Sequence, residues 1–385
     1  TANDPQQQFL DVIDRDEAVR RFHAVVSLEP LASEVVPLRD ALGRVLAKDI
    51  VSPVDVPSFD RSNLDGYAVI ASDTFGASEE HPRLLALLSE EIHTAVVPTM
   101  AVKAGQALSI ATGGMLPRGA DAIVMVEHAD RQSEVLSVRH SVTPGRGVTF
   151  AGTDITMGET VLRQGQRLTS RETGVLAAIG TDEVSVVRRP RIAIMSTGNE
   201  IVAPGEEMRP GLVYDSNAQI LSDSVRELGA VPVLFGVVAD DMSLLEPVVR
   251  EALDSCDAVI LSGGTSKGAG DVSYRVVERI ADPGVVAHGV ALKPGKPICL
   301  AAHHGKPLVI LPGFPTSAIF TFHEFVAPVI RTLAGLPEVR HESCRARIAT
   351  KVNSDIGRQE YMLVGLVPSS EPHRRELMAY PMGKG

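Results

Sequence analysis

Cysteine is scarce and scattered: Cys256, Cys299 and Cys344 are the only three in 385 residues, and they stand in no metal-ligand spacing. An odd, unclustered set argues against a disulfide framework and points to a reducing compartment. Positive charge is in deficit as well. Lys and Arg number 37 against 48 Asp and Glu, a net charge of −11, which argues against a broad electrostatic grip on nucleic acid or on a membrane surface. Any anion handled by this chain must be met by a few locally placed Lys, Arg and backbone N–H groups. No stretch reaches the ~18 consecutive apolar residues of a membrane span. Residues 1–10 are polar and Gln-rich, with neither the charged nor the apolar region of a leader, so a soluble cytoplasmic protein is expected. HExxH and CxxC patterns are missing, which leaves a metalloprotease reading without support.

What is present is ordinary globular usage, 44% hydrophobic and 22% charged, with 33 Gly and 25 Pro marking many tight turns. At roughly 100–200 residues per domain the length suits two to four domains. Apolar residues at Ala18, Val19, Phe22, Val25 and Val26 predict a helix over 14–28, capped by Asp14 or Asp16. A second short helix is expected through Ala41, Leu42, Val45 and Leu46. From about 84 to 142 the texture is β, with runs at 107–112, 122–126 and 134–139. A turn-rich connector then leads to a helix from about Ser170, closed by Gly180. Beyond Pro190 strands alternate with helices: strands at 192–195, 231–238, 258–262, 298–301 and 308–311, and helices at 217–228, 243–253, 272–280 and 316–333. Such alternation predicts a parallel, doubly wound α/β sheet. After about 340 the chain reads as β again, in a tail too short to close a domain. The predicted architecture is multidomain α/β plus β: a helical linker (1–52 and 143–182), a β-rich domain (53–142), a doubly wound α/β domain (183–337) and a truncated C-terminal β barrel (338–385).

In a doubly wound sheet, ligands sit beyond the carboxyl ends of the strands, where strand order reverses. Four loops fall at such ends: Ser196-Thr-Gly-Asn-Glu200, Ser262-Gly-Gly-Thr-Ser-Lys-Gly-Ala-Gly-Asp271, Leu292-Lys-Pro-Gly-Lys-Pro297 and Leu311-Pro-Gly-Phe-Pro-Thr-Ser317. The second lets backbone N–H groups approach a phosphate at a helix start, although it lacks the Walker order; it reads equally as a turn shaped by packing. The third holds Lys293 and Lys296 on a proline-stiffened turn, suited to a compact oxyanion or simply to solvent. In the fourth, Thr316 or Ser317 is expected as a plain N-cap. In the first half, Phe59-Asp-Arg-Ser-Asn-Leu-Asp-Gly-Tyr67 carries two carboxylates, with Asp65-Gly66 favoured as a turn, and Thr112-Gly-Gly opens another Gly-rich turn. His303-His304 before Gly305 reads as a hairpin tip.

Taken together and in order, these segments closely resemble the MoeA family of molybdopterin molybdotransferases, which includes the C-terminal domain of gephyrin. The matching motifs are Phe59–Tyr67, Thr112-Gly-Gly with Pro117, Gly119 and Asp121, Ser196–Glu200, Tyr214-Asp-Ser-Asn217, Gly263-Gly-Thr-Ser with Gly268 and Asp271, Lys293-Pro-Gly-Lys-Pro297, and Leu311-Pro-Gly with Pro315 and Ser317. The resemblance implies an elongated homodimer with the active site shared between subunits. It implies a reaction in which molybdate is inserted into adenylylated molybdopterin and AMP is released, with a divalent cation such as Mg²⁺, and a molybdopterin adenylyltransferase as pathway neighbour. Carried over by residue, it makes Asp271, Glu200, Asp65 and Asp154 catalytic, with Asp271 and Glu200 holding the metal. Substrate-binding positions are Thr112, Gly113, Ser216, Asn217, Ser262, Gly263, Gly264, Thr265, Ser266, Gly268, Lys293, Lys296, Pro312, Gly313, Pro315 and Ser317. Two departures stand out: Phe314 where the family often has Asn, and Thr149-Phe150-Ala151 where arginines commonly precede the family's Gly-x-Asp. The long first half separates the chain from MogA-like adenylyltransferases. Retention of Glu200, Asp271, Lys293 and Lys296 counts against a pterin-binding scaffold without turnover, an alternative that the absent arginines leave open.

Overall fold

The computed structural model describes residues 12–264, 272–337, 342–369 and 376–382. Asp14 starts the first helix, its carboxylate accepting the Glu17 N–H at 2.8 Å. Asp16 and Glu17 occupy the first turn and Arg20, Arg21 and His23 the last, the charge order that suits the helix dipole. This helix, α1 (Arg15–His23), buries Ala18 and Phe22 and stops short of the expected 28. After it, the N–H groups of Val25 and Val26 both donate to the Phe22 carbonyl, and the Ser27 N–H is taken by Gly305. Val26 is buried by this turn, so the apolar spacing is satisfied without further helix.

The helix expected through Ala41–Leu46 does not form. One 3₁₀ turn, Leu38–Asp40, precedes Gly43 at φ 77°, and Val45 and Leu46 then bridge to Arg167 and Val186. Ala41, Val45 and Leu46 are buried as predicted for an apolar face, but cross-chain pairing decides the backbone. The α2 helix (Ser170–Ala178), with a Thr169–Glu172 capping box, sets Leu176 in one small core with Leu46, Leu162, Leu168 and Val186.

A six-stranded sheet fills much of the first half, ordered 122–125, 66–69, 106–110, 83–92, 135–138, 129–132. Alternate residues of its second strand enter opposite cores, Tyr67 and Val69 on one face and Ala68 on the other. Those two cores contain no residue beyond Val148, so this sheet has its own interior.

The second six-stranded sheet positions the site. Its strands are β1 (Arg191–Thr197), β2 (Val231–Val238), β3 (Ala258–Ser262), β4 (Pro283–His288), β5 (Cys299–His303) and β6 (Lys306–Leu311), in the order β2-β1-β3-β6-β5-β4. The first four strands in that order run parallel. The β5 and β4 strands add antiparallel, and β4 had no distinct signal in the sequence. The β6–β5 hairpin turns on His304 (φ 48°) and Gly305 (φ 81°), the tip expected there. Along β1, Ile192 and Ile194 enter one core while Ala193 and Met195 enter the other, which is why the run is apolar throughout. The first core is covered by α1 together with α3 (Ser216–Glu227), α6 (Pro315–Thr321) and α7 (Ala327–Leu333), and the second by α4 (Met242–Ser255) and α5 (Val272–Ile280).

The expected helix over 316–333 forms, running without interruption from Pro315 to Leu333 with a π-helical turn, Phe322–Val326, in its middle. Pro328 has no N–H for the Glu324 carbonyl, and the ladder slips there. In the tail, 346–348, 377–381 and 364–368 form a three-stranded sheet, and Gln359–Glu360 pairs parallel with Leu292–Lys293.

Phe22, fully buried, ties α1 to the sheet. Phe22→Ala is expected to cost about 3–5 kcal/mol, measured as a lowered denaturation midpoint in urea.

Candidate active site

The order of the second sheet reverses at β1, since β2 lies on one side and β3 on the other; their carboxyl ends are the switch point. Thr197 and Ser262 end these strands, both buried. The loop leaving β3 crosses directly over the end of β1: a Cβ on Gly263 would lie 2.3 Å from the Thr197 carbonyl oxygen, and one on Gly264 would lie 2.4 Å from Ser273 Oγ. Both glycines have positive φ, 107° and 69°, so no other residue fits. Thr197 Oγ1 and Ser273 Oγ are 3.0 Å apart. Thr265, Ser266, Gly268 and Asp271, all expected at the site, lie outside the described residues.

Asn217 joins three loops. Its Nδ2 donates to Ser262 Oγ and to the Gly313 carbonyl, each at 2.8 Å, while its Oδ1 is buried with no partner among the described residues. Asp215 caps α3 through the Ala218 N–H at 3.0 Å, leaving Ser216 exposed at the first helical position. Glu200 sits on the exposed loop after β1, facing Asp240 at the end of β2. Burial, and then the charge of Glu200, pushes the Asp240 carboxyl up. Asp240 was not singled out in the sequence, although the strand-end rule that selected Glu200 applies to it equally.

The proline loop connects this cluster to a cavity of ≈ 780 Å³. Its Gly313 carbonyl faces Asn217, and its next residues, Phe314, Pro315, Thr316 and Ser317, line the cavity. Phe314, not Thr316 or Ser317, occupies the N-cap, and no side chain caps α6. Pro315 stands in the first turn, where its missing N–H costs nothing. The two hydroxyls are therefore free to face the cavity. Opposite them the tail contributes Lys351, Asn353, Glu360 and Tyr361; none of these was expected.

Lys293 lines the cavity and Lys296 does not; Lys296 is half-buried, its carbonyl accepting from Val290 N–H at 2.9 Å. Lys293 is not an open ammonium. Its Nζ lies 3.2 Å from Asp355 and 3.4 Å from Glu360, and Asp355 first, then Glu360, holds its pKa up. Behind the cavity Tyr361 donates to Glu324 Oε2 at 2.6 Å, Arg15 pairs with the same carboxylate, and Phe320 stacks on Tyr361 with centroids 5.7 Å apart. Glu324 thus ties α1, the π turn and the tail together.

The first-half residues form a separate corner. A Cβ on Gly66 would fall 2.0 Å from the Val124 carbonyl oxygen, so the strand there requires glycine and Asp65 projects from its start. Asp65 Oδ1 accepts from Thr112 N–H at 2.7 Å and from its hydroxyl at 3.0 Å, which holds the carboxyl below the usual range, the backbone bond first. Gly113, at φ 80°, donates its N–H to the Ser62 carbonyl at 2.8 Å. Asp154 is exposed, held only through its N–H to Val56 at 2.9 Å. Among the described residues no backbone hydrogen bond links this corner to the strand ends of the second sheet.

Comparison with known proteins matches the model described as "MoeA N-terminal region (domain I and II)" to residues 13–180 and the "Probable molybdopterin binding domain" to residues 193–332. Molybdopterin molybdenumtransferase 2 of Mycobacterium tuberculosis is 36% identical over 85% of this chain and 81% of its own length. The molybdopterin molybdenumtransferase of a Nostoc species is 37% identical, over 84% of this chain and 74% of its own. Among solved structures, a molybdopterin biosynthesis MoeA protein from Pyrococcus horikoshii superposes with a TM-score of 0.84 at 36% identity, covering 97% of this chain and 90% of that one.

Burial first, then the bond to Glu324, pushes the Tyr361 hydroxyl up from 10.0 to about 12. A raised folded pKa gives stabilisation that is complete below 10.0 and is lost as pH climbs towards about 12. Lys293, also raised, acts in the same direction. Denaturation midpoints measured across that window should fall for the native chain, and Tyr361→Phe should fall less, keeping only the Lys293 share.

Proposed function

The chain belongs to the MoeA family of molybdopterin molybdenumtransferases, and on that premise we propose that it inserts molybdate into adenylylated molybdopterin and releases AMP. The observation that carries this reading is the proline loop, which joins the strand-end cluster through the Asn217–Gly313 bond to a cavity large enough for a bicyclic ring system. In a protein of net charge −11, the two anionic substrates need local donors. The Gly263–Gly264 crossing brings backbone up to the switch point, where N–H groups hold a phosphate without adding charge. Lys293 and Lys351, which both line the cavity, supply compact positive charge for the oxyanion. Thr316 and Ser317 add uncommitted hydroxyls beside it.

A divalent cation fits the other end of the cluster. Glu200 and Asp240 present two neighbouring hard oxygen donors, the donor type Mg²⁺ prefers. Among the described residues no three such groups converge, so Asp271 is assigned the third place from the family motif. When bound, the cation would neutralise charge on the adenylate phosphates. Asn217 and Asp215 meanwhile fix the loop that carries the leaving AMP.

Asp65 and Thr112 enter through a second copy of the chain. They stand in a corner with its own core, apart from the strand ends, and a homodimer would bring that corner to the partner's cluster.

AMP release from adenylylated molybdopterin is expected to require both molybdate and Mg²⁺, and to be lost in Asp271→Ala with the thermal melt unchanged. Wild-type turnover by that variant would remove Asp271 from the reaction. Two inactive variants, Asp65→Asn and Lys293→Ala, should recover about a quarter of wild-type activity when unfolded together and refolded as a mixture, because half the dimers then hold one intact shared site; no recovery would place the site within one chain.

A further inference from the structure

Lys293, the cation best placed for the oxyanion, is already occupied. Asp355 reaches it at 3.2 Å from a tail loop whose carboxylate is about half exposed, while Glu360 approaches at 3.4 Å from a less exposed position, 14% against 54%. Glu360 is fixed: it lies on the short strand paired with Leu292–Lys293. Asp355 is not. It sits outside any strand, and Arg358 offers it a second partner at 3.9 Å across the turn made by Gly357 at φ 79°. A single exposed carboxylate thus stands between two cations, one inside the cavity wall and one outside it.

We propose that Asp355 is a built-in competitor for the oxyanion at Lys293, a specificity-determining residue that yields its place when a tetrahedral dianion enters and then rests on Arg358. The inference rests on the oxyanion reading of Lys293 given above and adds to it a threshold. With both carboxylates in place Lys293 and Arg358 are fully neutralised, so a weakly held anion meets no net positive charge there. A dianion outcompetes one carboxylate for the same ammonium, whereas a monoanion gains nothing by the exchange. The exposed pair is weak enough to be displaced, and the strand-held Glu360 keeps the ammonium at the cavity after Asp355 leaves.

Molybdate alone is the probe, its binding measured by calorimetry at fixed ionic strength on the intact chain. Asp355→Asn should bind molybdate about two- to fivefold more tightly than wild type, the range an exposed pair is worth. It should also lose discrimination against a monoanion such as nitrate. Arg358→Ala, which removes the resting place, should bind molybdate more weakly than wild type. Lys293→Ala should abolish binding. Unchanged or weaker affinity in Asp355→Asn, with binding still lost in Lys293→Ala, would overturn the competitor and leave the oxyanion site standing. Failure of both wild type and Asp355→Asn to bind molybdate would overturn both.

Discussion

One amide holds the site together. Asn217 reaches from the start of α3 to Ser262 at the end of β3 and to Gly313 in the proline loop, and it is nearly fully buried. A buried hydrogen-bonded amide is costly to disrupt because its partners are left without water. The spacing of the two strand-end loops from the cavity is therefore set by a side chain that is not itself charged. Gly263 and Gly264 depend on the same arrangement. Their close crossing over Thr197 and Ser273 leaves no room for a Cβ, and any displacement of β3 relative to β1 would break it.

Charge is organised around this frame in a way the net balance conceals. The chain is acidic, yet the substrates proposed for it are anions, and the positive groups at the cavity are few and partly neutralised. Lys293 is shared with Asp355 and Glu360. At the opposite end Glu200 and Asp240 repel one another. The site thus meets carboxylates at each end, Asp240 beside Glu200 at one and Asp355 and Glu360 around Lys293 at the other. Arg15, Glu324 and Tyr361 tie α1 to the tail, so the tail wall of the cavity is braced from the first helix.

Local pattern revealed a good deal. The apolar runs of β1, β3 and β6 are continuous because both faces of that sheet are covered, and their strands fall where those runs are. The glycines at 263 and 264 and the Asp65-Gly66 pair were visible as special positions, since only a close backbone approach or a positive φ demands them. Where pattern misled, a long-range contact was stronger than a local preference. Val45 and Leu46 keep their predicted burial on extended chain because Arg167 and Val186 pair with them. The helix over 316–333 does form, and what apolar spacing did not reveal is its π turn, where Pro328 withdraws one N–H from the ladder.

The sequence by itself determined the element order, the apolar faces, the glycine-dependent loops and the family to which the motifs belong, because each of these is written in neighbouring residues. The tertiary structure decided what faces Lys293. Asp355 and Glu360 are distant along the chain, and only the parallel pairing of Gln359–Glu360 with Leu292–Lys293 brings them to it. The same holds for Asp240 beside Glu200 and for Lys351 in the cavity wall. Coulomb interactions depend on distance in space, and that distance is fixed by the pairing of strands far apart in sequence.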